Sequence, residues 1–183
     1  DAGATWTLGP NFSSQIRKLA IHSSDSKSLY AAAQGGLFKT TDSGATWTKL
    51  TNGLPTAVND HANDVIIHPT TPATVYCAFG AYWASAGNGV YKSTDSGASW
   101  VKLAGGLPSV NVGRIALAIA PSLPATLYAG IQDSSTYGLL GLYKTTDAGT
   151  TWTKVAAAPA YCSTQCWYDN VLAVDPSNAN IVY

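Results

Sequence analysis

Hydrolysing a glycosidic bond with inversion takes two carboxyl groups about 6.5–9.5 Å apart, one as acid and one as base. This 183-residue chain has ten Asp and no Glu from which to draw them. Six of the ten stand where turns are signalled: Asp1, Asp42, Asp95 and Asp147 recur in one repeated box, and Asp25 and Asp175 sit between short apolar runs. Asp60, Asp64, Asp133 and Asp169 are left as carboxylates free for acid or base work. His61, beside Asp60, is the best placed histidine for proton transfer, whereas His22 and His68 close equivalent apolar runs and read as turn or packing residues. Sugar recognition is the second chemistry on offer, because pyranose faces stack on aromatic rings while hydroxyls need fixed polar partners. Tyr82, Trp83, Tyr137, Trp167 and Tyr168, together with Asp60, His61 and Asp169, are the candidate ligand-binding residues. The alternative for the same rings is to cover the ends of sheets. No Ser-His-Asp order, phosphate loop or metal-ligand spacing is present, so no metal and no cofactor is expected.

Composition narrows the partners. Ten Lys plus Arg balance the ten Asp and the net charge is zero, which leaves no basic face for nucleic acid. The longest apolar run, residues 115–121, is too short to span a bilayer and ends at Pro121, so no membrane span is expected. With Met absent even at residue 1, the chain is expected to be a processed form or part of something longer. Cys162 and Cys166 bracket Ser-Thr-Gln: they form a small disulfide ring in an oxidising compartment, or remain two free thiols. Cys77 follows Tyr76 in an apolar run and reads as a small core residue.

The elements that must position these groups follow from a repeat. Thr40-Thr-Asp-Ser-Gly-Ala-Thr-Trp47, Ser93-Thr-Asp-Ser-Gly-Ala-Ser-Trp100 and Thr145-Thr-Asp-Ala-Gly-Thr-Thr-Trp152 are nearly the same eight letters, and a clipped version occupies residues 1–6. The spacing of about fifty residues is that of one small sheet of a β-propeller. In phase with each box come four runs of strand length. Strand A is led by Leu19, Val65, Leu117 and Leu172, and strand B carries Tyr30, Tyr76, Tyr128 and Tyr183. Strand C begins at Gly36, Gly89 and Gly141, and strand D carries the box Trp. The box is the turn from C to D. Asp42, Asp95 and Asp147 accept hydrogen bonds from their own turn, while Gly44, Gly97 and Gly149 take a positive φ; Trp47, Trp100 and Trp152 are then core residues between sheets. The fold class is all-β, a propeller of four-stranded antiparallel blades with about three and a half blades present. These comprise strand D at 1–9, blades at 16–50, 63–103 and 114–155, and a partial blade at 170–183, and the expectation is one segment of a larger propeller. Function is expected on the rim away from the boxes, in the unrepeated connections 51–62, 80–88, 104–113, 131–140 and 156–169.

The boxes and their phased strands resemble the Asp-box, or BNR, repeat of sialidases, sortilin-type receptors, photosystem assembly propellers and xyloglucanase-type glycoside hydrolases. The Asp-Pro-Ser-Asn-Ala-Asn-Ile-Val-Tyr stretch ending at Tyr183 is most similar to the secreted bacterial and xyloglucanase-like branch. In that branch an Asp falls shortly after the strand-B Tyr, which the resemblance maps to Asp133, and a second Asp falls near Asp64, so these two are the candidate catalytic pair. A complete sialidase site is excluded by residue count, since the resemblance would require three arginines and a Tyr–Glu pair, and this chain has Arg17, Arg114 and no Glu. The resemblance implies a secreted, extracellular module that binds or scaffolds, with a polysaccharide or an extracellular protein as partner. The alternatives are part of a xyloglucanase-like endo-glycosidase, and a structural subunit whose partner is the remainder of the propeller or another copy.

Overall fold

Residues 4–5, 15–57 and 59–183 are described in the computed structural model, and in them the repeat is a four-stranded antiparallel sheet that occurs three times. Apart from residues 4 and 5, the clipped box and the strand expected at 1–9 lie outside the described residues. The first sheet is β1 (Ile16–His22), β2 (Asp25–Ala33), β3 (Gly36–Thr40) and β4 (Thr48–Lys49). β5 (Ala62–Ile67), β6 (Val75–Phe79), β7 (Gly89–Ser93) and β8 (Val101–Lys102) make the second. The third is β9 (Val112–Ile119), β10 (Leu127–Asp133), β11 (Leu139–Thr145) and β12 (Thr153–Lys154). Strand order in each follows the sequence, and β1, β5 and β9 lie side by side as the inner strands. The chain is a partial β-propeller of three such blades. A further strand pair begins beyond them, where Ala173 and Tyr183 exchange backbone hydrogen bonds of 3.0 and 2.8 Å. No helix among the described residues is long and apolar enough to cross a membrane.

The box turns have identical wiring. Asp95 Oδ1 accepts from Ser99 N at 2.9 Å and from Ser93 Oγ at 2.7 Å, and Ser93 Oγ in turn accepts from Gly97 N at 2.8 Å. Asp42 and Asp147 make the same contacts with Thr46 and Thr40, and with Thr151 and Thr145. Gly44, Gly97 and Gly149 stand at φ between +86° and +91°. The preceding residue is also left-handed: Ser43, Ser96 and Ala148 have φ of 62°, 57° and 57°. That conformation costs a non-glycine residue about 1 kcal/mol, and at two of the three positions it turns a carbonyl toward the neighbouring blade. Ser96 O accepts from Tyr30 Oη and Lys39 Nζ, both at 2.7 Å, and Ala148 O accepts from Tyr76 Oη at 3.0 Å and Lys92 Nζ at 2.8 Å. Tyr30 and Lys39 are cross-strand partners, as are Tyr76 and Lys92, so each ammonium also lies about 5.5 Å from its tyrosine ring.

Two apolar layers fill the spaces between blades. Tyr30, Leu37, Val65, Phe79 and Trp100 pack between the first and second, and Tyr76, Val90, Ile115, Leu127 and Trp152 between the second and third. Cys77 lies fully buried in the first layer. Trp100 and Trp152 are 4% and 5% exposed, each donating Nε1–H to the carbonyl of its box glycine at 3.1 Å. Trp47 departs from the expectation of a core residue, being only half-buried. It belongs to the face of the first sheet turned away from the second, where Ile16, Leu19 and Ile21 are exposed as well.

Two expectations follow. Trp100→Ala will lower the free energy of unfolding by about 3–5 kcal/mol, the usual cost of emptying a large aromatic site, and Trp47→Ala by clearly less; urea denaturation of both variants decides, and equal losses contradict the layered packing. The three box carboxyls are held at about 2, against 3.8 ordinarily, chiefly by hydroxyl hydrogen bonds from Thr46, Ser99 and Thr151. A folded pKa below the unfolded one gives stability that is complete above the unfolded value and disappears as pH falls through the folded one. The thermal midpoint will therefore decline between about pH 4 and about pH 2, and Asp95→Asn will reduce that decline; an unchanged acid profile in this variant would argue against the assignment.

Candidate functional site

The box turns share one end of the blades with the A-to-B connections, since Ser96 N donates to Ala73 O and Ala148 N to Ala125 O. The opposite end carries a cavity of about 830 Å³, lined by the starts of the inner strands, the ends of the second strands and two long connections. Arg17, Asn63 and Arg114 come from the inner strands of the first, second and third blades. All three stand at register shifts, at Ile16/Lys18, at Ala62/Asp64 and where β10 opposes Val112 to Ile115. A β-bulge re-aims the side chains around it, and here three consecutive bulges deliver polar groups to one cavity. His61 lies immediately before the second inner strand, bridged to Gln34, which with Gln15 completes the first blade's share.

The aromatic part comes from loops fixed by buried amides. Asn88, 5% exposed, accepts from Ala81 N at 3.1 Å and donates Nδ2–H to Trp83 O at 3.0 Å and Val112 O at 2.7 Å. Gln132, fully buried, donates Nε2–H to Tyr82 O at 3.0 Å and accepts from Arg114 N at 2.9 Å. These two hold the Tyr82–Trp83 loop against the third blade. A side chain at Gly113 would bring its Cβ within 2.6 Å of Gln132 Oε1, so this approach requires glycine. On the other side, Arg114 Nη1 donates to Trp167 O at 3.0 Å and Tyr168 O at 2.6 Å. The same loop is closed by a disulfide between Cys162 and Cys166, with Cα atoms 5.0 Å apart. Cys166 N donates to the carbonyl of Tyr137, a residue at φ +64°.

Of the candidate residues, His61, Tyr82, Trp83, Trp167 and Tyr168 line the main cavity, and Tyr137 joins Tyr82 and Trp167 around an adjoining cavity of about 400 Å³. The carboxylates lie elsewhere. Asp60 is buried, accepting from Ala57 N at 2.7 Å and Ser85 Oγ at 3.4 Å. Asp64, 7% exposed, accepts from Val65 N at 2.8 Å and Leu117 N at 3.0 Å and faces Lys18 Nζ at 3.7 Å, tying three blades together behind the cavity. Burial raises its pKa, with Lys18 and the two backbone donors opposing. Asp133 closes a turn, accepting from Ser135 N at 2.8 Å and Ser135 Oγ at 2.6 Å, and these bonds lower its pKa. Asp169 is exposed beside the loop, near enough to favour the charge of Arg114. Arg17, Asn63, Arg114, Gln15 and Gln34 were not among the candidates; each lies in or at the end of a strand, and the sequence carries no sign of the bulges that aim three of them.

The cavity wall is therefore rich in donors. Burial and then Arg17 lower the pKa of His61, with Asp60 opposing. Its Nδ1 accepts from Gly35 N at 3.2 Å, so the neutral ring carries its proton on Nε2. Burial and then Arg17 also weigh on Arg114, which remains a cation.

No family model matches the chain. It is 28% identical over 158 residues to a xyloglucanase of Hypocrea jecorina (strain QM6a), covering 80% of this chain and 17% of that protein. To a xyloglucanase of Paenibacillus sp it is 26% identical over 153 residues, covering 77% of this chain and 14% of the other. The chain spans less than a fifth of the length of either relative. Among solved structures, an ancestral GH74 enzyme superposes with a TM-score of 0.73 and 18% identity over 96% of this chain and 22% of its own. The GH74 enzyme of Niastella koreensis superposes with a TM-score of 0.65 and 26% identity over 90% of this chain and 24% of its own. The fold is thus that of propeller glycoside hydrolases.

The electrostatics of the cavity can be checked at His61. Its titration, followed by NMR, will have a midpoint below the ordinary value of about 6.5, and Arg17→Ala will raise it by removing both a like charge and cover from solvent; a midpoint unmoved in the variant would contradict the placement of Arg17.

Proposed function

We propose that this chain is an extracellular carbohydrate-recognition segment of an Asp-box (BNR) propeller, binding a polysaccharide across the rim opposite the boxes. The observation that carries the reading is the open cavity flanked by Tyr82 and Trp83 on one side and Trp167 and Tyr168 on the other, with amide and guanidinium donors at its floor. Rings on two facing loops suit the two faces of a sugar chain, and the adjoining cavity framed by Tyr82, Tyr137 and Trp167 extends the surface along which further residues stack. The loops are held by Asn88, Gln132 and the Cys162–Cys166 bond, so the rings are pre-arranged, which lowers the cost of ordering them on binding. The two xyloglucanases to which the chain is similar supply the class of polymer to try first, xyloglucan. The secreted location rests on the charge-poor composition and the disulfide. The whole chain, 1–183, is read as one propeller segment with the blade boundaries given above.

A second reading, part of a xyloglucanase-like endo-glycosidase, is favoured by one observation: Asp64 is a buried carboxyl with a raised pKa, the property of a general acid. Against it, both oxygens of Asp64 already accept backbone hydrogen bonds, and Asp133 is engaged in its own turn.

Titration calorimetry with xyloglucan oligosaccharides tests the first reading, and reducing-end release from xyloglucan tests the second. Binding is expected, weakened about tenfold or more by Tyr82→Ala and by Trp167→Ala, equivalent to the roughly 1.4 kcal/mol that loss of one aromatic contact entails. Hydrolysis abolished by Asp64→Asn would transfer the assignment to the enzyme; no binding to any glycan would end the carbohydrate reading and leave a protein partner or assembly role.

A further inference from the structure

We propose that the floor of the main cavity is a subsite for a carboxylated sugar, so that the polysaccharide bound here is one bearing uronic acid residues. The inference rests on the carbohydrate reading and deepens it by assigning the charge of the ligand. Its basis is an imbalance of charge in the lining. Two guanidinium groups, Arg17 and Arg114, line the cavity with His61, Asn63, Gln15 and Gln34, and no Asp lines it in a chain whose total charge is zero. A neutral sugar presents hydroxyls that both donate and accept, which the amides of Gln15, Gln34 and Asn63 can meet, but it brings no charge to two guanidinium groups. Asp64 and Asp169 act on Arg114 from outside the lining, and a wall that holds two cations and no carboxylate of its own is complementary to an anion.

Each member of the set is placed and only partly used. Arg114 spends Nη1 on the carbonyls of Trp167 and Tyr168, which fixes the plane of its guanidinium. The Arg17 guanidinium has no hydrogen bond or ion pair among the described residues, although Lys18, its neighbour in sequence, is paired with Asp64. The two like charges lie close enough to act on each other, an arrangement that an anion between them would relieve. Asn63, 6% exposed, has neither Nδ2 nor Oδ1 hydrogen-bonded among the described residues, and it stands in the same wall. A buried amide without a partner is costly, and a ligand seated on the cavity floor, or the water it brings, supplies one. His61 adds an Nε2–H donor that is uncharged at neutral pH. The planar fork of an arginine matches a carboxylate in two parallel hydrogen bonds, a geometry a lysine does not offer. All three bulge residues therefore converge on one chemical task, while the aromatic loops above them take the ring faces of the sugars.

The experiment uses the full chain, oligogalacturonides of three to six residues, the same oligosaccharides with their carboxylates reduced to primary alcohols, a sulfated oligosaccharide of equal length, and xyloglucan oligosaccharides, all by calorimetry. The acidic oligosaccharide is expected to bind at least tenfold more tightly than its reduced form, with affinity falling as salt rises. Arg17→Ala, at an exposed position, should remove that preference while leaving the thermal midpoint unchanged, and Arg17→Lys should retain it only in part. Equal affinity for acidic and reduced forms overturns the carboxylate subsite and leaves the carbohydrate reading intact. Tighter binding of the sulfated ligand than of the carboxylated one also overturns it, in favour of a tetrahedral anion. Absence of binding to every sugar tested overturns both proposals at once.

Discussion

The carbonyl of a left-handed residue in the second and third boxes joins each of those blades to the one before it. Ser96 O is held by a tyrosine hydroxyl and a lysine ammonium from the first blade, and Ala148 O by the corresponding pair from the second. The carbonyl can point outward in this way because the residue carrying it takes φ near +57°, and that conformation is maintained by the Asp and hydroxyl groups wrapped around the turn. A charge-assisted bond and a neutral bond on one acceptor offset the roughly 1 kcal/mol of backbone strain. At the third blade the same tyrosine and lysine engage the turn that precedes Tyr183: Tyr128 Oη donates to Ala179 O at 2.9 Å and Lys144 Nζ to Asn180 Oδ1 at 2.7 Å. The clamp therefore persists where the acceptor is of another kind, which identifies the Tyr–Lys pair as the constant half of the contact.

The consequences of that contact reach the opposite end of the blades. With the box ends fixed, the inner strands lie close enough for Asp64 to accept a hydrogen bond from Leu117 of the third blade while facing Lys18 of the first. Gly80 and Gly113 pack with no room for a side chain, and Gln132 reaches from one blade to the loop of another. The cavity is the space left where the strands begin, and three blades contribute residues to it. A repeated contact thus builds an unrepeated site.

What the sequence disclosed follows the same division. The boxes, the strand phases and the rim on which rings gather are local patterns, written within eight to fifteen residues, and they were legible. So was the turn at Asp133, in principle: Asp133-Ser-Ser offers the carboxylate a hydroxyl and a backbone N–H two residues on, as Asp175-Pro-Ser does, and the two accept the same pair of bonds. The resemblance drew attention to its distance from Tyr128 and away from that local signal. Arg17, Asn63 and Arg114 were beyond sequence reasoning for a different reason. Each sits near the start of an apolar strand, where alternation assigns a face, and a bulge resets the alternation. Trp47 shows the limit in the other direction, since identical letters in the box give buried rings at Trp100 and Trp152 and a half-buried one at Trp47.

The distribution of carboxylates connects the fold to its chemistry. Every described Asp except Asp169 accepts at least one hydrogen bond from a backbone N–H: those at 25, 42, 95, 133, 147 and 175 within turns, that at 60 within its own loop, and that at 64 between blades. A short acidic side chain close to the backbone is suited to this work, and a Glu, one methylene longer, fits such turns less well, which gives a physical sense to a chain whose acids are all Asp. Acids committed to the backbone are then missing from the cavity wall. The cations balance them in number across the molecule but not in place: Lys39, Lys92 and Lys144 are drawn to the blade contacts and Lys18 to Asp64, while the two arginines remain at the cavity. A chain of zero net charge thereby has two arginines in its cavity wall and no carboxylate in that lining.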